Sequence, residues 1–265
     1  VRIHDLKKRT AFAEIVEVLE ASPTRAVPPC PYFGSCGGCD FQQLTYEAQL
    51  AAKVEIVRDC LERLGKITVE SDIRIIQSPE PLEYRSRAKW HVDRNEQKIG
   101  YFKRYSHDVI DVEVCPILTP PLQAELSRVR ADMDYATLWS DRVEVEAASG
   151  DEGQVSVYSA ELLEQSSDIS FTAHGEKYSF SARSFFQGNQ TLIGELIETA
   201  LGSSGGDKAL DLYCGVGLFA IPMARRFAQV IGVEGNSDAI GMARKNARNA
   251  GVENVNFAVR SVGEF

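Results

Sequence analysis

Ala209-Leu210-Asp211-Leu212-Tyr213-Cys214-Gly215-Val216-Gly217-Leu218 is the stretch on which the fold turns. Its residues up to Tyr213 read as a buried strand, two closely spaced glycines allow a tight turn, and Leu218 to Phe227 begins a helix. The pattern then repeats. Gln229 to Val233 reads as a second strand ending at Glu234, Ser237 caps a helix running to Asn249, Gly251 stops it, and Val255 to Val259 is a third strand. Strands and helices alternating in this way make a βαβαβ half of a nucleotide-binding, Rossmann-like α/β domain, whose ligand belongs at the carboxyl ends of the strands.

Glu234 stands where a carboxylate would hydrogen-bond both hydroxyls of a ribose, which implies an adenosine ligand. Gly215-x-Gly217-x-x-Ala220 also satisfies the loose dinucleotide pattern. Asp211 tilts the choice to S-adenosylmethionine, because an acid just before the glycine turn suits a cationic donor and would repel a pyrophosphate. Cys214 reads as part of the packing of the turn rather than as a nucleophile. Upstream, Gly202-Ser203-Ser204-Gly205-Gly206 is a flexible joint. Before it, Phe185-Phe186-Gln187-Gly188-Asn189 leads into an amphipathic helix through Leu192, Ile193, Leu196 and Ile197, with Asn189 as its cap.

The other concentrated signal is Cys30-Pro31-Tyr32-Phe33-Gly34-Ser35-Cys36-Gly37-Gly38-Cys39, which holds three of the six cysteines. A Cys-x-x-Cys step brings two thiolates to one centre, and the glycine pair lets amide N–H groups approach sulfur. Cys115, followed by proline as Cys30 is, is the natural fourth ligand. A structural zinc site, a disulfide set and a four-iron, four-sulfur cluster compete for these residues. Zinc pairs are usually spaced two to four apart and repeated, and nothing suggests secretion, so the [4Fe–4S] cluster is preferred.

Between Tyr84 and Tyr105 there are seven basic residues, five aromatics and only two acids, in a chain whose net charge is -9. The overall charge argues against indiscriminate coating of nucleic acid, so an RNA surface must be local. Arg87, Lys89 and His91 alternate with Ala88, Trp90 and Val92, which would make one strand face cationic and turn the other inward. Cations beside flat side chains suit looped RNA, and Arg85, Arg87, Lys89, Lys103 and Arg104 are the candidate contacts. A solvated hairpin with Trp90 in the core fits the same residues equally well. His91 and His107 lack metal-like spacing.

Elsewhere, Phe12 to Leu19 reads as a strand, and Ile67 to Leu118 is strand-rich. Thr45 caps a helix with an apolar stripe of Leu50, Val54, Val57, Leu61 and Leu64, which Gly65 stops, and Cys60 is a half-buried thiol on it. A short helix follows Thr119-Pro120-Pro121, and strands around 142–147 and 154–158 flank a turn at 149–153. The longest uncharged apolar run, Leu212 to Ala224, is thirteen residues, too short for the roughly 20 that span a bilayer. The expectation is a cytoplasmic monomer without membrane association.

Taken together, the run from Cys30 to Leu44 with Cys115, the segment Arg183 to Asn189 and the segment Asp211 to Gly217 resemble the RNA uracil-5-methyltransferases, in particular their cluster-containing 23S ribosomal RNA branch. The resemblance covers nearly the whole chain. It implies a partial β-barrel RNA-binding remnant over 1–29, an iron-sulfur and central RNA-binding α+β domain over 30–181, and half of the S-adenosylmethionine domain over 182–265. It places Cys30, Cys36, Cys39 and Cys115 on the cluster, and Gln187, Tyr213, Glu234 and Ser261 against the methyl donor. Ser261 departs from the acid or asparagine usual there. The family's Asp-Pro-Pro motif, nucleophilic cysteine and glutamate base follow the third strand, and none is recognised among these 265 residues. The expectation is therefore a fragment that binds cluster, donor and 23S RNA without catalysing. A catalytically empty iron-sulfur RNA-binding module and a transfer RNA enzyme are the alternatives.

Overall fold

A computed structural model describes residues 1–161 and 168–264, in two compact units. The first comprises Val1–Pro31 and Asp40–Ile75, the second Tyr32–Cys39 and Ile76–Phe265.

In the first unit β1 (Arg2–Lys7) and β2 (Thr10–Glu14) form an antiparallel hairpin. The second strand stops at Glu14, short of the Leu19 expected. Helix α1 (Tyr46–Arg63) starts where expected, with the Thr45 hydroxyl accepting from the Ala48 N–H at 3.4 Å. Its end is also local: a Cβ on Gly65 would stand 2.8 Å from the Leu61 carbonyl, so only glycine passes there. The expected apolar stripe is not a buried face, because no residue of α1 is buried and Val57 and Leu64 are exposed. Cys60 is exposed too, contrary to the half-buried thiol expected.

The second unit holds a five-stranded antiparallel sheet in the order β5-β4-β3-β6-β7, made of β3 (Arg87–Asp93), β4 (Lys98–Phe102), β5 (Val109–Asp111), β6 (Arg142–Ser149) and β7 (Val155–Tyr158). Strand β3 pairs in register with β6 from Arg87↔Ala148 to Asp93↔Arg142. Alternation along β3 buries Ala88, Trp90 and Val92, which pack with Leu122 and Leu126 of α2 (Pro120–Asp132). No strand forms between Ile67 and Arg87; the apolar residues there find no ladder partner, and composition alone does not make a strand.

The carboxyl-terminal half has a parallel sheet ordered β10-β11-β12, from β10 (Gly206–Leu212), β11 (Phe227–Glu234) and β12 (Val255–Val259). Helix α4 (Ala220–Ala224) is shorter than the expected Leu218 to Phe227, with Pro222 in its first turn, where a missing N–H is tolerated. Helix α5 (Ser237–Asn249) is capped by Asn236 rather than Ser237, its carboxamide oxygen accepting from the N–H groups of Asp238 and Ala239. Strand β10 is not the buried strand expected. It lies at the end of the strand order with Leu210 and Leu212 exposed, while Val230 and Val233 of the middle strand are fully buried.

The hairpin of β8 (Ile169–Ala173) and β9 (Glu176–Phe180) belongs to the core of this half: Tyr178 and Phe180 pack with Phe186, Ile193 and Ile197 and with Val216. Here α3 (Ile193–Leu201) contributes Ile193 and Ile197. The packing thus continues across the expected boundary at 181/182. Asn246 of α5 pins the hairpin, accepting from the Ser179 N–H at 2.7 Å and donating to the carbonyls of Ser179 and Val216, both at 3.0 Å.

Candidate functional site

The carboxyl ends of β10, β11 and β12 gather most of the residues expected to hold a donor. After Leu212 the chain turns through three left-handed residues, Tyr213 at φ 61°, Gly215 at 53° and Gly217 at 91°. Glycine adopts such angles freely; tyrosine does so at a cost of about 1 kcal/mol. Tyr213 is nevertheless held there, the residue 73% exposed. The turn is anchored by the Cys214 N–H on Val233 O at 3.0 Å and the Gly217 N–H on Cys214 O at 2.8 Å.

Glu234 is fixed by two backbone donors, Gly215 N–H at 3.2 Å on one carboxylate oxygen and Asn236 N–H at 2.9 Å on the other. Each oxygen keeps a lone pair for a further donor. The Glu234 carbonyl also accepts from the Arg260 N–H at 3.0 Å, which brings the exposed Ser261 to the same end of the sheet. Behind the turn lies Asp211, 7% exposed. One of its carboxylate oxygens is buried without any hydrogen-bond partner. Burial, and secondarily the Glu234 charge, push its pKa up to about 6 against the pull of the Ala220 N–H. The same burial, with Asp211 and Glu234 nearby, pushes the Cys214 thiol up to about 12. It stays protonated, and packing is its role.

Gln187 is half-buried on a loop that meets this turn: the Phe185 carbonyl lies 3.9 Å from the point a Cβ would occupy on Gly215. Two residues that sequence reasoning did not single out for the purpose hold this loop. Ser86, fully buried, donates its N–H to Gly188 O at 2.8 Å and has its hydroxyl 3.3 Å from Gln187 O. Arg87 spreads its guanidinium over three carbonyls, Ala182 O at 2.8 Å, Ser181 O at 3.4 Å and Ser184 O. Its partners are some ninety residues away in sequence, so no local pattern could have revealed them.

Of the remaining basic candidates, Lys89 lies between two acids, Glu144 at 2.9 Å and Glu146 at 3.2 Å. Lys103 is exposed. Arg104 turns to the cysteine segment, donating to Cys39 O at 2.9 Å, and its guanidinium stands 5.8 Å from the centroid of the nearly fully exposed Tyr105 ring. His91 stacks on Phe102 with centroids 3.6 Å apart, and burial lowers its pKa.

The segment carrying Cys36 and Cys39 is stitched to the strand end beside it by Gly37 N–H to Phe102 O at 3.0 Å and Arg104 N–H to Ser35 O at 2.7 Å. A Cβ on Gly37 would stand 3.2 Å from that Phe102 carbonyl, which explains the glycine. The Gly38 N–H points at Cys36 Sγ at 3.4 Å. Cys39 and Cys115 both lie close enough to the Tyr84 hydroxyl to reinforce the upward shift that burial gives it, opposed by Arg85. Cys39, Cys115 and the Arg85 guanidinium thus share one neighbourhood. Cys30 belongs to the first unit, where its N–H donates to Gln42 Oε1 at 3.2 Å. None of the six cysteines is in a disulfide. Among the described residues, no group of three or more His, Cys, Asp or Glu side chains is arranged to hold a metal ion. No helix among them is long and apolar enough to cross a membrane.

Residues 123–265 match the tRNA (Uracil-5-)-methyltransferase family. The chain is 33% identical to the 23S rRNA (uracil(1939)-C(5))-methyltransferase RlmD of Salmonella typhimurium, over 97% of this chain and 66% of that protein. It is 28% identical to the RlmD of Methylococcus capsulatus, over 98% of this chain and 68% of that one. It therefore spans about two thirds of the length of these relatives. The crystal structure of Pyrococcus abyssi tRNA (uracil-54, C5)-methyltransferase in complex with S-adenosyl-L-homocysteine superposes with a TM-score of 0.74 at 22% identity, over 97% of this chain and 71% of that one, which speaks for a common fold.

Proposed function

The chain belongs to the tRNA (Uracil-5-)-methyltransferase family, a family of enzymes, and from that premise we propose that it serves the S-adenosylmethionine-dependent methylation of carbon 5 of a uridine in 23S ribosomal RNA. The observation that carries the reading is the unpartnered, buried oxygen of Asp211 behind the glycine turn. A cationic methyl donor would give that oxygen its counter-charge, and Glu234, held by two backbone donors, would accept from the ribose hydroxyls. Gln187, Tyr213, Gly215, Gly217 and Ser261 complete the proposed donor site. Ribosomal RNA is preferred to transfer RNA because the relatives at 28–33% identity carry that activity in their names. Lys103, Arg104 and Arg85 are the proposed RNA contacts; Arg87 and Lys89 would add to the local positive field while serving the protein's own acceptors. The amino-terminal hairpin fits part of a small β-barrel that binds RNA, and the enzyme would act as a cytoplasmic monomer.

Carbon 5 of uracil is a poor nucleophile, and methylation requires a thiolate to add at carbon 6 and a base to remove the carbon-5 proton before the thiolate leaves. Cys214, held as a thiol, does not supply it. The described residues would bind and orient the donor.

The reading includes a [4Fe–4S] cluster on Cys30, Cys36, Cys39 and Cys115. Support comes from donor chemistry: thiols in no disulfide, a Gly38 N–H on Cys36 Sγ, and Arg85 and Arg104 to balance thiolate charge. Such a cluster would orient the segment around it. One preparation made without oxygen tests both parts. About four irons and four sulfides per chain, with calorimetric binding of S-adenosylhomocysteine, are expected. Zinc in place of iron would remove the cluster, and absence of nucleoside binding would overturn the donor site.

A further inference from the structure

An open cavity of about 420 Å³ lies beside the first turns of α5, and none of Asp211, Tyr213, Gly215, Gly217 or Glu234 lines it. Tyr158, Arg183, Ser184, Asp238 and Gly241 do. Ser184 is 1% exposed and its hydroxyl has no hydrogen-bond partner. A buried hydroxyl left unpaired is unfavourable unless something meets it there. The Arg183 guanidinium lies 5.0 Å from the centroid of the Tyr158 ring and pairs with Asp238 at 3.0 Å. The other acid of the lining, Asp168, pairs with Lys245 at 3.0 Å.

We propose that this cavity is a subsite for an unstacked nucleobase of the RNA substrate, distinct from the methyl-donor site. The inference rests on the RNA reading above and deepens it. Because both acids already have cationic partners, the cavity suits a neutral group with hydrogen-bonding edges rather than a phosphate. A flat ring finds the Tyr158–Arg183 pair to stack on, and its edge finds the Ser184 hydroxyl and the Asp238 carboxylate. The volume lies in the range of small-ligand sites. Arg183 and Ser184 also stand only four and three residues before Gln187, so a base held here is tied by a short segment to the loop at the donor end.

The test uses the full chain, a short single-stranded uridine-rich RNA read by fluorescence anisotropy, and S-adenosylhomocysteine read by calorimetry. Gly241→Phe fills the cavity without strain, since no atom lies within 4 Å of a Cβ at that helical position. RNA affinity is expected to fall about tenfold, as for loss of one stacked base, with the melting temperature and nucleoside affinity unchanged. Ser184→Ala removes a hydroxyl that makes no bond in the free protein, so it should fold as well as the parent and still bind RNA several-fold more weakly. Equal RNA binding by parent and variants overturns the subsite and leaves the proposed function standing. Loss of nucleoside affinity with RNA binding unchanged overturns it by giving the cavity to the donor. A parent chain that binds no RNA overturns both readings.

Discussion

Arg87 and Asp211 are both charged side chains withdrawn from solvent in the same unit, and they are treated in opposite ways. The guanidinium of Arg87 meets three backbone carbonyls of the 181–184 segment. Asp211 has one oxygen with no partner and a pKa raised to about 6. A charge satisfied within the protein holds structure, and one left unsatisfied marks where something else is to bind. By that criterion the basic strand face contributes more to architecture than its composition suggested, and the carboxyl end of β10 is the place where the proposed donor site is to be tested.

The largest effect should come from Arg87. Arg87→Ala leaves three carbonyl acceptors without their fork, and a loss of about 3 kcal/mol is expected from unpaired buried polar groups. Arg87→Lys should recover only part, since an ammonium cannot span three planar acceptors. Urea unfolding measures both. A loss below about 0.5 kcal/mol, the usual range for exposed positions, would return Arg87 to the free cationic surface.

Asp211→Asn should move stability the other way. A carboxyl whose pKa is raised from its usual value of about 4 to about 6 favours the protonated folded state. Its contribution to stability is therefore lost as pH rises through that window and stays lost above it. Asparagine has no such loss, so the variant should be more stable than the parent by about 2 kcal/mol near pH 8, with the gap closing near pH 4. Thermal melts at the two pH values read the gap, and calorimetry should show S-adenosylhomocysteine binding weakened at least tenfold. A variant less stable than the parent at both pH values would mean that Asp211 is satisfied as Arg87 is.

The same contrast explains what the sequence disclosed. Strand β12 begins and ends as read, α5 matches within its cap, and Thr45 caps as expected, because these are decided by residues within a turn or two. Asn189 caps the short 3-10 turn Gln190–Leu192 that precedes α3 rather than α3 itself, which begins after Leu192. The candidate donor residues were legible for the same reason: a strand, a glycine turn and an acid at the next strand end form a local pattern. What failed was long-range. Arg87 read as a free cation because its acceptors are over ninety residues away, and Ile67 to Arg87 read as strand because pairing is not written in composition. Nor did α1 bury its stripe, since periodicity reports a face without reporting what covers it. Ser184 gave no signal, because an unsatisfied hydroxyl is visible only once its surroundings are known.

The smallest effect concerns the backbone of the turn at the donor end. Tyr213 sits at φ 61° with its ring largely in solvent, so it carries the left-handed penalty of a side chain without recovering it through packing. Tyr213→Gly removes that penalty and adds the entropy of a freer unfolded chain, opposing terms of similar size. The expected net is between no change and a gain of about 0.5 kcal/mol. Tyr213→Ala separates the terms, because alanine keeps the Cβ and therefore the strain while losing the ring. It should be no more stable than the parent, and S-adenosylhomocysteine affinity should fall in both variants if the exposed ring is there to cover the donor. Equal affinity in all three proteins would leave the strained conformation without a function, and the case for the donor site would then rest on Asp211 and Glu234.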